Sequence, residues 1–182
     1  MPQTSEHPWS GLVSFWRQAG EDKWFGKDLT FDDACRDRFR ELHMDVATRR
    51  HDDWMDTAEG AFALILLTDQ IPRNIFRGSA HMFATDPLAR HYARRALAVG
   101  YPGQVDADLR VFFALPFTHS EDMADQALSV ALTNALAGTS EWAESHRDII
   151  RRFGRFPHRN ALLLRETTTA EAEFLAAGGF AG

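Results

Sequence analysis

Cysteine is nearly absent from this sequence, since Cys35 is the only one in 182 residues. One cysteine excludes a disulfide within the chain and fits a reducing compartment. The longest apolar run, Ala61 to Leu67, is far shorter than the roughly 20 residues that cross a bilayer. The N-terminus lacks the charged and then apolar pattern of a secretion signal. We therefore expect a cytoplasmic protein without a membrane partner.

Positive charge is also in short supply, because 20 lysines and arginines face 26 aspartates and glutamates, for a net charge of -6. A general nucleic-acid binder would carry a basic face, so we expect no nucleic-acid partner. Sustained period-two alternation and Asn-Gly or Asp-Gly hairpin signals are missing as well, which argues against a sheet. The hydrophobic fraction of 45% is enough for one core, and we expect a single domain over residues 1–182.

Helix signals recur along the whole chain. Cys35, Phe39, Leu42 and Val46 have the spacing of one buried helical stripe. Thr30, Ser120 and the pair Thr168 and Glu171 stand where helices begin. The segment from about 57 to 70 is apolar nearly all round, which predicts the central helix. We expect an all-α fold of about eight or nine helices, stacked as antiparallel pairs without a sheet.

Asp69 stands at the end of this apolar helix, next to the negative end of the helix dipole. Such a carboxylate needs a cation, and Arg73, Arg77 or Arg159 can supply one. We favour a structural ion pair, because ion networks perturb carboxylates without any chemistry. The functional alternative makes Asp69 a general base or a metal ligand.

The turn around Pro157 carries the opposite conflict. If Pro157 begins a helix, His158 and Arg159 lie in its first turn, where the dipole disfavours cations. With Arg155 they form a set that calls for an anion. A carboxylate of Glu121, Asp122 or Glu166 can fill this place, or an anionic ligand can, and the sequence leaves both open.

A metal site is the less favoured interpretation. His119 and Asp122 are three residues apart and would share a helical face, but a complete set of ligands is missing. We therefore expect no metal and no cofactor. His146 lies on an apolar face with Trp142 and Ile150, which predicts a core histidine with one hydrogen-bond partner.

Several long motifs resemble a mostly bacterial family, domain of unknown function 924. They include Leu66-Leu-Thr-Asp-Gln-Ile-Pro-Arg-Asn74, Phe112-Phe-Ala-Leu-Pro-Phe-Thr-His-Ser-Glu-Asp122 and Ile149-Ile-Arg-Arg-Phe-Gly-Arg-Phe-Pro-His-Arg-Asn160. The resemblance covers nearly the whole chain and implies a fold like the tetratricopeptide-repeat superhelices, with no established activity, substrate or cofactor. Leu164 stands before Arg165 where the family has glycine, which predicts a more helical turn after Asn160.

Our leading hypothesis is a helical scaffold whose polar site binds a small anionic ligand or an acidic peptide of a protein partner. A hydrolase-type enzyme that uses Asp69, His119 and His158 as acid, base or metal ligands is the main alternative. A purely structural cluster is the other. The turns at Pro72, His119 and Pro157 are expected to meet. The candidate ligand-binding residues are Asp69, Arg73, Asn74, Arg77, His119, Glu121, Asp122, Arg155, His158, Arg159 and Asn160.

Overall fold

The computed structural model describes residues 7–182, and every regular element in that range is helical, as predicted. The α-helices are α1 (Ser10–Ala19), α2 (Glu21–Trp24), α3 (Leu29–Ala47), α4 (Ala58–Ile65), α5 (Ile71–Ile75), α6 (Asp86–Ala98), α7 (Leu115–Thr118), α8 (Met123–Ala137), α9 (Glu141–Phe153) and α10 (Thr169–Ala176). Shorter 3-10 helices cover Asp52–Asp56, Ala80–Phe83, Tyr101–Gln104, Ala107–Phe113 and Pro157–Arg159.

Helix α4 is the centre of the molecule. Every residue from Ala61 to Leu67 is completely buried, which confirms the prediction made from its apolar circumference. A π-helical turn, Leu66–Gln70, follows α4 without a break and leads directly into α5. Asp69 therefore lies inside a continuous helical rod, and the expected helix end at this position is wrong.

The helices pack in pairs around this rod. Helix α3 packs against α5, and α4 packs against α6. Helix α8 packs against both α7 and α9, and only the residues from Gly138 to Ser140 separate α8 from α9. None of the helices within residues 7–182 is long and apolar enough to cross a membrane.

Two helix starts differ from the expected ones. Asp28, not Thr30, caps α3, because its Oδ1 accepts a hydrogen bond from the Phe31 amide at 3.0 Å. Asp122, not Ser120, caps α8 by accepting from the amides of Ala124 and Asp125. Asp28 lies two residues before the expected cap, and Asp122 lies two residues after it. Both have the extended backbone that suits a cap. The capping box of Thr168 and Glu171 is confirmed at the start of α10.

Proline shapes two further elements. The segment before Pro116 forms a 3-10 helix, Ala107–Phe113, and not an α-helix. Pro116 has no amide hydrogen for the Phe112 carbonyl, so an α-helix cannot continue through it unchanged. Pro157 begins only a three-residue 3-10 turn, because the chain after Asn160 continues as turns rather than as a helix. The free helix terminus expected at Pro157 is therefore reduced to a single turn.

Candidate functional site

A cavity of about 860 Å³, here called the central pocket, opens between the π-turn, α7, α9 and the turn at Pro157. Its walls are largely aromatic and aliphatic, and its polar residues converge on one side. The apolar lining includes Trp24, Phe25, Phe83, Val111, Leu115, Leu136, Trp142 and Phe180. The polar lining includes Gln70, Arg73, Asn74, Arg77, His119, His146, His158 and Arg159. The size and the mixed lining are those of small-molecule sites.

The three turns that carry the candidate residues meet at this pocket. Arg73 and Asn74 reach it from α5, Arg77 reaches it from the turn after α5, and His119 reaches it from the end of α7. The turn at Pro157 contributes two further candidates, His158 and Arg159.

Asp69 lies directly behind His119 and is completely buried. Its Oδ1 accepts a hydrogen bond from His119 Nδ1 at 2.7 Å, and its Oδ2 accepts one from Gln70 Nε2 at 2.5 Å. Arg73 Nη1 lies 3.3 Å from the same Oδ1. Burial alone would raise the pKa of this carboxyl, but Arg73 and His119 hold the pKa below its ordinary value. Asp69 is therefore ionised.

The π-turn around Asp69 is held from two sides. His43 Nδ1 donates to the Leu67 carbonyl at 2.7 Å, and Thr85 Oγ1 donates to the Thr68 carbonyl at 2.7 Å. These side chains come from α3 and from the residue before α6. The wider turn thus has its carbonyls bound by neighbouring elements, as a buried interruption of the α-helical ladder requires.

His119 has one ring nitrogen fixed and the other free. Because ionised Asp69 can only accept, Nδ1 of His119 carries the proton. Its Nε2 makes no hydrogen bond within residues 7–182. This atom is accessible rather than buried, and the side chain is 18% exposed. Burial, followed by repulsion from Arg73, lowers the pKa of His119, whereas Asp69 opposes that shift. The ring is neutral at pH 7, with an acceptor nitrogen available.

Two arginines, one in α5 and one in the turn after it, are already paired with carboxylates. Arg73 donates to both oxygens of Asp86, at 2.9 and 3.0 Å. Arg77 donates to both oxygens of Asp32, at 2.6 and 2.9 Å. Such bidentate pairs occupy guanidinium N–H donors and neutralise the charge, so neither side chain is a free cation.

Arg159 is the exception. It is 7% exposed, and its guanidinium makes no hydrogen bond with the described residues. The nearest carboxylate oxygen, Oδ2 of Asp86, lies 3.8 Å from Nη1. The guanidinium carbon lies 4.6 Å from the ring centre of Phe83 and 4.5 Å from that of Phe156. Burial lowers the pKa of Arg159 to about 10, so the group stays charged at pH 7.

The remaining candidates hold the turn at Pro157 rather than line the pocket. Arg155 donates to both oxygens of Glu171, at 2.6 and 2.9 Å. Glu121 accepts from the Phe156 amide at 2.8 Å and from Arg165 at 2.7 and 3.0 Å. These contacts tie α10 and the start of α8 to the turn.

Asn160 and Asp122 also have structural partners. Buried Asn160 accepts from Arg165 Nε through its Oδ1 at 3.0 Å, and its amide nitrogen reaches Glu171. Asp122 serves as the cap of α8 and lies outside the lining of the pocket.

The more helical turn expected after Asn160 is wrong. Leu164 has a φ of 54°, in the left-handed region, and it is 94% exposed. The turn therefore keeps the conformation that a glycine would adopt, and it directs Arg165 onto Glu121.

The motif resemblance is confirmed by comparison with known proteins. The model of a family described as bacterial protein of unknown function, DUF924, matches residues 12–179. The chain belongs to this family. A solved structure of a protein of unknown function from Agrobacterium tumefaciens is 53% identical, covering 93% of this chain and 97% of that one, with a TM-score of 0.90. No curated protein is significantly similar. The DUF924 family and this relative indicate no specific activity.

Sequence reasoning missed two residues of the site in this DUF924 chain. Asp86 accepts two hydrogen bonds from Arg73 and lies 3.8 Å from Arg159. His146 donates from Nδ1 to the Trp142 carbonyl at 2.7 Å, the one hydrogen bond expected of it, but it also lines the pocket. No local signal marked Asp86, because an acidic residue in the first turn of a helix is ordinary.

No cluster of three metal-ligating side chains forms within residues 7–182. His158 stands apart from both His119 and Asp69 in its bonding, because its buried Nδ1 has no hydrogen-bond partner in the described structure. Burial and the nearby Arg159 lower the pKa of His158 to about 3, so this ring is neutral at pH 7. The polar side of the pocket consequently combines neutral histidines with a buried guanidinium, Arg159, that makes no hydrogen bond to the described residues.

Proposed function

We propose that the central pocket binds a small organic anion with a flat apolar body. The observation that carries this proposal is Arg159, a buried guanidinium that makes no hydrogen bond to the described residues. Arginine has five N–H donors, and leaving buried donors unpaired costs free energy. A carboxylate or phosphate in the pocket would accept from them.

The apolar walls define the other half of the ligand. Trp24, Phe25, Val111, Leu136 and Trp142 line the same cavity as Arg159. Such walls favour a planar ring system, because aromatic side chains gain free energy when they bury apolar area. An inorganic anion alone would leave this surface exposed to water.

A purely structural role for the pocket explains the neighbouring arginines better than it explains Arg159. Arg73, Arg77 and Arg155 each hold a carboxylate through two hydrogen bonds. The shortest approach of Asp86 to Arg159 is 3.8 Å, and that carboxylate already receives two hydrogen bonds from Arg73. An acidic peptide remains the second ligand class, and its chemistry at Arg159 would be the same.

Calorimetric titration with 2-naphthoate tests the proposal, with 2-naphthol as the uncharged analogue and acetate as the head group alone. We expect 2-naphthoate to bind more tightly than either. Arg159→Met should weaken its binding by roughly 10- to 100-fold, the value of a charge-assisted hydrogen-bonded contact. Arg159→Met should leave the free energy of unfolding unchanged or higher, because methionine fills the space between two phenylalanine rings without burying charge.

Arg155→Met is the matched control. It also removes a guanidinium, but one that binds Glu171 and lies outside the pocket. It should lower the thermal stability, because it strands a buried carboxylate, and it should leave 2-naphthoate affinity intact below the unfolding temperature. Equal affinity of wild type and Arg159→Met for 2-naphthoate would contradict the proposal.

We also propose a cytoplasmic location, which the free, buried thiol of Cys35 supports. Fractionation of bacteria that express the chain tests this proposal. Recovery of the protein in the membrane or secreted fraction would contradict it.

A further inference from the structure

Binding an anion does not explain the Asp69 and His119 pair. A buried carboxylate repels an anionic ligand, and a neutral histidine with a bare acceptor nitrogen offers no donor to it. Arg73 does not need Asp69 as a partner either, because Asp86 already occupies its guanidinium through two hydrogen bonds. The chemistry of the pair therefore differs from anion binding.

The pair has the arrangement of a general base and the group that orients it. Asp69 fixes the proton on Nδ1 of His119 through a 2.7 Å hydrogen bond, which makes Nε2 the basic atom. His119 lines the central pocket, and its exposed edge is the one that Asp69 leaves free. Asp69 itself is fully buried, so water does not compete for its hydrogen bonds.

The backbone supports this interpretation independently. Asp69 stands in a π-helical turn, and such turns are rare and frequent at functional sites. The turn is placed in the most buried part of the chain, where an uninterrupted α-helix would have been the simpler packing. Two further side chains, His43 and Thr85, are used to bind its carbonyls.

We propose that the central pocket is a hydrolytic active site in which His119 activates water against a carboxylic ester whose anionic group is held by Arg159. This proposal rests on the proposed anion binding and adds a reaction to it. Among the arginines that line the pocket, Arg159 alone makes no hydrogen bond to the described residues, which fits one anionic group for recognition, whereas phosphoryl transfer uses several cations around the reacting group.

The step balances as follows. Nε2 of His119 takes one proton from water while the water oxygen forms a bond to the ester carbonyl carbon. The tetrahedral intermediate then breaks its bond to the alcohol oxygen, and His119 returns the proton to that oxygen. Asp69 stabilises the imidazolium between the two transfers. The products are one carboxylic acid and one alcohol, and no oxidant or reductant is needed.

The test uses 4-acetoxybenzoate, which carries its carboxylate and its ester at opposite ends of a ring. Release of 4-hydroxybenzoate is measured for the full chain and for His119→Gln. We expect the wild type to accelerate hydrolysis and His119→Gln to lose at least 100-fold in kcat/KM, the usual contribution of a general base. His119→Gln should still bind 2-naphthoate within about 2-fold of wild type.

Asp69→Asn provides the positioning readout. Asparagine keeps the size of the side chain but removes the charge that stabilises the imidazolium, so kcat should fall more than KM changes. The wild-type rate should reach its plateau below pH 7, because the pKa of His119 lies below 6.5. His91→Gln, on α6 and outside the pocket, is the control.

The outcomes separate this proposal from the binding proposal. A wild type that binds 2-naphthoate yet hydrolyses 4-acetoxybenzoate no faster than His119→Gln would overturn the catalytic role and keep the binding site. A wild type that fails to bind 2-naphthoate would overturn the proposed function first. Hydrolysis that survives in both His119→Gln and Asp69→Asn would also end the catalytic proposal.

Discussion

Leu164 is the residue whose conformation suits its side chain least. Its φ of 54° is unfavourable for any residue with a Cβ atom, and its side chain is 94% exposed and gains little from packing. The position is fixed by its neighbour, because Arg165 must reach Glu121 and the Phe156 carbonyl. The strain at Leu164 therefore accompanies the anchoring of the turn at Pro157.

Leu164→Gly should stabilise the protein by about 1 kcal/mol, because glycine adopts a positive φ without steric cost. Urea denaturation measures this change. Leu164→Ala is the control, since it removes the exposed side chain and keeps the strained Cβ. Equal stabilisation by alanine and glycine would show that the gain came from the lost apolar side chain instead.

At the scale of elements, α10 is attached through its first turn. Glu171 accepts from the Thr168 amide at 2.8 Å as part of the capping box and also receives two hydrogen bonds from Arg155. Arg155 and the Thr168 contacts lower the pKa of Glu171 to about 2, so the carboxylate is ionised throughout the neutral range. One side chain thus starts a helix and fixes the turn that carries Arg159.

Thr168→Ala should lower the free energy of unfolding by about 1 kcal/mol, the usual cost of a lost helix cap. Thr168→Ser keeps the capping oxygen and should come within a few tenths of wild type. Chemical denaturation of the three proteins measures the difference. A loss as large in the serine variant would mean that the methyl group, not the cap, is what matters.

For the whole molecule, the buried histidines link stability to pH. Burial lowers the pKa of His146 to about 4 and of His158 to about 3, and it lowers those of His43 and His119 as well. Each ring is neutral in the folded chain at a pH where the unfolded chain binds a proton. Their stabilising contribution is complete above about pH 6.5 and is lost as the pH falls below that value.

We therefore expect the free energy of unfolding to be level from pH 8 to 7 and to fall between pH 6.5 and 5. The slope is about 1.4 kcal/mol per pH unit for each histidine that stays neutral. Urea denaturation across this range measures it. A double variant, His146→Gln with His158→Gln, should show a shallower fall, and a level profile down to pH 5 would contradict the prediction.

The sequence predicted the helical class, and it predicted that the turns at Pro72, His119 and Pro157 meet. Apolar stripes and caps mark the helices. The expected dipole conflicts at Asp69 and Pro157 were wrong, because Asp69 lies within a continuous rod and Pro157 begins a single turn.

The sequence did not predict which side chains pair. Asp86 meets Arg73, and Arg77 meets Asp32, only after the helices pack. The π-turn was missed because the polar run from Thr68 to Gln70 looked like the end of the apolar helix, whereas the chain continues helically into α5.

Because of the π-turn at Leu66–Gln70, the number of residues between positions 58 and 75 indicates whether a relative can form the same pocket. A π-turn holds about one residue more than the α-turn it replaces, so it corresponds to a single insertion in the rod from Ala58 to Ile75. Each residue of an α-helix turns the chain by about 100°. A relative that lacks this one residue would keep α4 in its core and rotate the side chains of α5 away from the pocket. Conversely, relatives that keep the length between positions 58 and 75 are the ones in which the same site should be sought.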